Sequence, residues 1–140
     1  MKIAIIVSQY NKKITDRLLL GARQALRDEE IPENSVEVIE VPGAFEIPCA
    51  AQKIIDQKKP DGIIALGCVI KGETDHYRAV CDGVTYGIQK VAIENRVPIM
   101  FGVLMCETID QALERSGSSP AKNKGYECVK SLVEMLNKKW

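Results

Sequence analysis

Aromatic side chains are scarce in this chain: two Phe, four Tyr and one Trp amount to 5% of its residues. That is too few for a platform on which bases stack. Basic charge does not compensate, because 19 Lys and Arg are balanced by 19 Asp and Glu. A nucleic-acid partner is therefore not expected. No apolar run approaches the roughly 20 residues of a membrane-spanning helix, which argues against a membrane partner. The five cysteines, at 49, 68, 81, 106 and 128, are odd in number and form no CxxC pair or Cys/His cluster. Neither a disulfide framework nor a metal site follows from that spacing. A Walker loop, a GxGxxG and a Ser-His-Asp order are missing too, which weakens NTPase, dinucleotide and hydrolase readings. The opening "MKIAIIVS" is too short for a signal peptide and reads as a strand, so a reducing, cytoplasmic setting is expected.

What is present is a regular alternation. With 140 residues, 46% hydrophobic and 27% charged, the chain suits one globular domain over 1–140 with a real core. "KIAIIVS" (2–8), "SVEVIEV" (35–41), "DGIIALGCVI" (61–70) and "VPIMFGVLM" (97–105) are short, bounded, β-branched runs. Between them lie helical stripes: Ile14, Leu18, Ala22 and Ala25; Ile47, Ala50, Ala51, Ile54 and Ile55; Val80, Val84, Ile88 and Val91. A short helix in "ETIDQALERS" is expected to stop at Gly117 as C-cap, and Val129, Leu132, Val133 and Leu136 carry a closing helix. Strand–helix alternation predicts a three-layer α/β/α domain of the flavodoxin-like kind, with a four-stranded parallel sheet and helices on both faces. In such sheets ligands bind beyond the carboxyl ends of the strands.

Four loops should converge on that edge: "QYN" (9–11), "VPGAFE" (41–46), "KGETDH" (71–76) and "MCET" (105–108). Tyr10 could stack on a planar heterocycle or be a rim aromatic. Pro42-Gly43 suits a tight turn with positive φ at the glycine. Phe45 reads equally as a core residue behind a helix entry. In "GETDH", Thr74 or Asp75 can cap the helix beginning near His76, and Gly72 lets the main chain approach an anion. From this segment alone, simple capping is the preferred account. A phosphate there would need a cation from elsewhere, since Glu73 and Asp75 are acidic; Arg115, Lys122 and Lys124 are candidates. His76 is the only histidine of the chain. Imidazole is the side chain whose ordinary titration near ~6.5 suits proton transfer at neutral pH, but it could equally decorate a turn. Phe101, inside a strand, reads as core.

Taken together, "SQYN", "VPGAFEIP", "ALGCVIKGETDHY", "FGVL", "TIDQALERSG" and "NKG" resemble lumazine synthases in order and spacing, through nearly the whole chain. The resemblance implies condensation of 5-amino-6-(D-ribitylamino)uracil with 3,4-dihydroxy-2-butanone 4-phosphate, without a cofactor. The product is 6,7-dimethyl-8-ribityllumazine, with phosphate and water released. It implies His76 as proton shuttle, and Tyr10 stacked on the pyrimidine where the family usually has Phe or Trp. Ala44, Phe45 and Glu46 would hold the ribityl chain. Cys68, Val69 and Ile70 would bind the pyrimidine through main chain and packing. Glu73 and Thr74 would meet the phosphate by their N–H groups. Phe101, Arg115 and Lys124 would reach in from a neighbouring subunit, so that the active unit is a pentameric homo-oligomer able in some members to build sixty-subunit shells.

Three departures from the family pattern stand out. The usual "GTKAGNKG" reads "GSSPAKNKG", one residue longer, which bears on where Lys124 falls. "YRAV" follows His76 in place of an aromatic–acidic–aromatic run. The arm that many members carry before the first strand is missing. With the lengthened loop, this favours an isolated pentamer over a shell. Competing readings are an archaeal-type riboflavin synthase, which lacks the "GETDH" loop; a flavodoxin-like binding module without chemistry; and a shell protein with a vestigial site.

Overall fold

The computed structural model describes residues 1–140. Strand β1 (Ile3–Ser8) is buried at every position, which is why its sequence runs continuously apolar rather than alternating. Helix α1 (Lys12–Asp28) follows, then β2 (Val36–Val41), α2 (Ile47–Lys58) and β3 (Gly62–Ile70). Helix α3 (His76–Asn95), strand β4 (Ile99–Cys106) and the short α4 (Ile109–Glu114) lead to α5 (Lys124–Leu136). The expected strands and helices are all present, each within a few residues of its predicted bounds.

The four strands form one parallel sheet in the order β2-β1-β3-β4. The register sets Ile5 against Val38 on one side and Ile64 on the other, and Gly67 against Val103 across β3 and β4. Side-chain alternation divides the core in two. Ile5, Leu18, Ala22, Leu66, Leu104 and Leu132 pack on the face covered by α1 and α5. Ile6, Ile47, Ala51, Ile63, Val84 and Ile88 pack on the face covered by α2 and α3. This is the expected three-layer α/β/α architecture. Because the chain leaves β1 towards β2 and later returns past it to β3, the winding direction reverses between β1 and β3. A crevice opens at such a point, beyond the carboxyl ends of the strands.

Two glycine expectations fail. Gly43 is extended (φ −138°, ψ 172°), and no glycine in the chain has positive φ. Its lack of a side chain matters for closeness instead, since a Cβ at 43 would stand 3.1 Å from Glu46 Oε2. Nor does Gly117 cap α4; that helix closes at Arg115, and Gly117 pairs across the following loop. The left-handed positions belong to Asn11, Glu30, Lys59 and Arg96. Lys59 and Arg96 take the αL conformation at the ends of α2 and α3, a role glycine often fills. Pro48 lies in the first turn of α2, where a missing N–H is harmless.

Candidate active site

Beyond the ends of β1 and β3 lies a cavity of about 820 Å³. That volume suits a ligand of small-molecule size. Tyr10 and Asn11 from the β1–α1 turn, Ala44, Phe45 and Glu46 from the β2–α2 turn, Cys68, Val69 and Ile70 from β3, and Gly72, Thr74 and His76 all line it. Nine of the site residues that the resemblance implied are thus gathered in one place: Tyr10, Ala44, Phe45, Glu46, Cys68, Val69, Ile70, Thr74 and His76.

Local chemistry explains each wall. Asn11 holds a left-handed conformation (φ 59°, ψ 46°), which Asn tolerates better than most residues, and this turns the chain sharply from β1 into α1. Its Nδ2 donates to the carbonyl of Cys68 at 2.8 Å, tying the first wall to the end of β3. The Cys68 carbonyl, expected to meet a ligand, thus already accepts one bond. Gln9 and Tyr10 donate their N–H groups to the carbonyls of Val41 and Pro42 at 2.8 and 2.9 Å, which fixes the second wall to the first. Ala44–Glu46 form a single 3-10 turn in which Ala44 is buried while Phe45 and Glu46 face outwards. Phe45 is therefore a wall residue rather than core: 59% of it is exposed, as is 73% of Tyr10. Two exposed rings at the mouth of one cavity are a means of holding a flat ligand.

The third wall is the loop before α3. Asp75 occupies the N-cap position but its side chain caps nothing; Thr74 Oγ1 instead accepts the N–H of His76 at 3.3 Å. The other first-turn amides of the helix are left to solvent or ligand, at the positive end of the helix dipole. His76 itself is exposed and lines the cavity. Next to it, Tyr77 is half-buried and also lines the cavity. Burial pushes the Tyr77 phenol above its usual range, reinforced by the Cys81 thiol. Burial likewise raises the Cys68 thiol to about 12, so it stays protonated and is a poor nucleophile at neutral pH.

Four expected site residues are not brought together here. Glu73 is exposed beside the cavity but does not line it. Phe101, Arg115 and Lys124 do not line it either. Phe101 departs from its core reading: it sits on β4, an edge strand, and is 36% exposed. The cations lie on neighbouring strands of one stem, since Lys124 donates its N–H to the Arg115 carbonyl at 2.9 Å. Arg115 Nη1 donates to the Gln111 carbonyl at 3.1 Å, and Lys124 Nζ pairs with Glu127 at 3.0 Å. Such exposed contacts are weak and readily exchanged for a stronger anion. Sequence reading did not single out Asn11 and Tyr77. Asn11 had a usable signal, an Asn in the short turn between a strand and a helix, whereas nothing local marks Tyr77.

Other features of the chain are quickly placed. No group of three His, Cys, Asp or Glu side chains is arranged to hold a metal ion. No helix is long and apolar enough to cross a membrane. Comparison with known proteins gives a consistent result. The sequence model of the family described as 6,7-dimethyl-8-ribityllumazine synthase matches residues 1–139. A 6,7-dimethyl-8-ribityllumazine synthase from Pediococcus pentosaceus is 52% identical over 137 residues, covering 98% of this chain and 87% of the relative.

Proposed function

The chain belongs to the 6,7-dimethyl-8-ribityllumazine synthase family, and from that premise we propose that it catalyses this condensation at the cavity between β1 and β3. It is an enzyme that joins 5-amino-6-(D-ribitylamino)uracil to 3,4-dihydroxy-2-butanone 4-phosphate. The single observation that carries the site assignment is the convergence of Tyr10, Glu46, Thr74 and His76 on one 820 Å³ cavity.

The roles follow from what each group can do. The pyrimidine ring lies between the exposed rings at the mouth and the Cys68–Ile70 strand end. Glu46, whose carboxylate is exposed, accepts hydrogen bonds from ribityl hydroxyls. The phosphate sits by the uncapped first turn of α3, where Thr74 and backbone N–H groups donate to it. His76 exchanges protons in three steps. The amine nitrogen adds to the ketone carbonyl, and water leaves as the imine forms. The carbon–oxygen bond to phosphate then breaks after loss of an adjacent proton. The enol left behind takes up a proton at the carbon that lost phosphate, which turns the neighbouring hydroxyl-bearing carbon into a new ketone. The ribitylamino nitrogen finally closes the ring on that new carbonyl, and water leaves again. Such general acid–base help contributes typically ~10²–10⁴-fold, and holding two substrates in one cavity supplies much of the remainder.

The cavity has one deficiency as a phosphate site: no Lys or Arg lines it. A second copy of the chain remedies this. Phe101, exposed on an edge strand, with Arg115 and Lys124 beside each other on one stem, completes the cavity of the adjoining protomer in a homopentamer. Tyr86 and Ile93, two large hydrophobics exposed on α3, support association of this kind. The setting is cytoplasmic, consistent with five unpaired cysteines.

The purified protein with both substrates should yield the fluorescent lumazine without added metal or nucleotide. Absence of product at any substrate concentration overturns the assignment. Mass in solution tests the ring, and a monomer that turns over at full rate would overturn the shared site.

A further inference from the structure

The loop between α4 and α5 is closed at its base. Gly117 N–H donates to the Lys122 carbonyl at 2.9 Å, Lys124 N–H donates to the Arg115 carbonyl at 2.9 Å, and Ser116 and Asn123 pair as an isolated antiparallel bridge. Arg115 and Lys124 therefore leave this stem as cross-strand neighbours. Like charges in that relationship repel and will not keep one geometry unaided.

Buried polar groups hold them. Asn123, 5% exposed, uses three of the four hydrogen bonds its amide can make. Its Nδ2 donates to the carbonyls of Arg17 at 3.1 Å and Gly117 at 2.9 Å, and its Oδ1 accepts the Tyr126 N–H at 3.1 Å. On the other strand Ser116, 1% exposed, donates its hydroxyl to the Ala112 carbonyl at 2.8 Å. Arg17 Nε donates to the Ser116 carbonyl at 2.9 Å and its hydroxyl at 3.3 Å. Glycines on both helices make room for the contact: a Cβ at Gly21 of α1 would stand 2.0 Å from Asn123 Oδ1, and one at Gly125 of α5 2.0 Å from the Leu18 carbonyl. The tip of "GSSPAKNKG" above this stem carries Pro120–Lys122 as a 3-10 turn. The tip can vary in length without changing the register of Arg115 and Lys124.

Resting on the function proposed above, we infer that Asn123, with Arg17 and Ser116, is the positioning residue that fixes the spacing and direction of the Arg115–Lys124 pair towards the phosphate of the ketone substrate. None of the three lines the cavity, so they act through the two cations. A phosphomonoester is close to dianionic at neutral pH, and two fixed cations match it better than two mobile ones.

The test compares Asn123→Ser with Arg115→Ala in the assembled whole chain. Serine keeps an oxygen for the α5 N-cap and removes both Nδ2 donors. KM for each substrate, kcat, thermal midpoint and calorimetric affinity for inorganic phosphate are measured. Asn123→Ser should raise the ketone KM by about tenfold or more, as expected for misplaced charge, and weaken phosphate binding in parallel. The pyrimidine KM and kcat should stay within about twofold of wild type. An unchanged ketone KM overturns the proposal. So does an even loss in both KM values, kcat and thermal midpoint, which is what a merely structural residue produces. Should the wild type form no lumazine, the functional assignment fails, and phosphate affinity alone decides this proposal. Binding that is lost in Arg115→Ala and weakened in Asn123→Ser supports it; binding that is the same in all three, or absent from all, overturns it. If Asn123→Ser does not fold, Arg17→Ala removes the bonds to Ser116 from a half-buried position and is judged by the same measurements.

Discussion

Phe45 rests directly over Gly83: a methyl group added at Gly83 would stand 2.6 Å from the ring's Cε1. Four residues on, a Cβ at Gly87 would come within 2.7 Å of Pro48 Cγ. The face of α3 turned towards α2 is thus hollowed out one turn at a time, and the ring at the cavity mouth owes its position to that hollow.

Gly83→Ala should therefore push the ring towards the cavity. Overpacking of this kind costs typically ~1–3 kcal/mol where nothing can give, and less at an exposed ring. The expected result is a several-fold rise in the KM for the ribitylaminouracil, with the ketone KM little changed. Steady-state kinetics with each substrate varied in turn checks it.

His76→Ala should lower kcat by ~10²–10⁴-fold. Because His76 is exposed and only its backbone N–H bonds within the loop, thermal stability and assembly mass should not change. Equal turnover in the variant would remove the imidazole from the mechanism.

The thiols predict an alkaline limit. Burial raises Cys68 from 9.0 to about 12, aided by Cys106, and raises Cys128 from 9.0 to about 11 against the opposing charge of Lys124. Between these values the folded chain keeps protons that the unfolded chain has lost. Stability is therefore undiminished by these groups below about pH 9 and falls as pH rises above it. Urea midpoints from pH 7 to 10.5 should decline over the upper part of that range, and a Cys68→Ala, Cys128→Ala variant should decline less steeply. At pH 8 a thiol reagent should modify Cys49 rapidly, since it alone is exposed, and the other four only on unfolding.

Much of this architecture was legible in the sequence, for identifiable reasons. β1 and β3 are buried on both faces, so their runs are continuous and bounded, and helical spacing marked Leu18, Ala51 and Val84 as core. The loops after the strands followed from the alternation alone. The order of the strands did not, because pairing between β1 and β3 is a long-range choice that no local pattern encodes. Phe101 was misread as core for a related reason: strand periodicity tells which face a residue occupies, not whether its strand lies at the edge. Gly43 and Gly117 failed because a glycine can answer to positive φ or to close approach, and the letter alone does not say which. Asn123 could not have been weighted, since its value lies in Arg17 and Gly21, a hundred residues away in sequence.

The edge position of β4 has a consequence for handling the protein. The other edge strand, β2, carries Glu37 and Glu40, charges that discourage strand-to-strand sticking between molecules. β4, "IMFGVLMC", carries no charge and no proline along an unpaired rim. A segment of that kind is a template for aggregation whenever a lone chain leaves it bare. Dilution, destabilising substitutions or slow refolding should therefore cost solubility first through residues 99–106, and Phe101→Lys would act as a gatekeeper there while removing the ring from the shared site proposed for it.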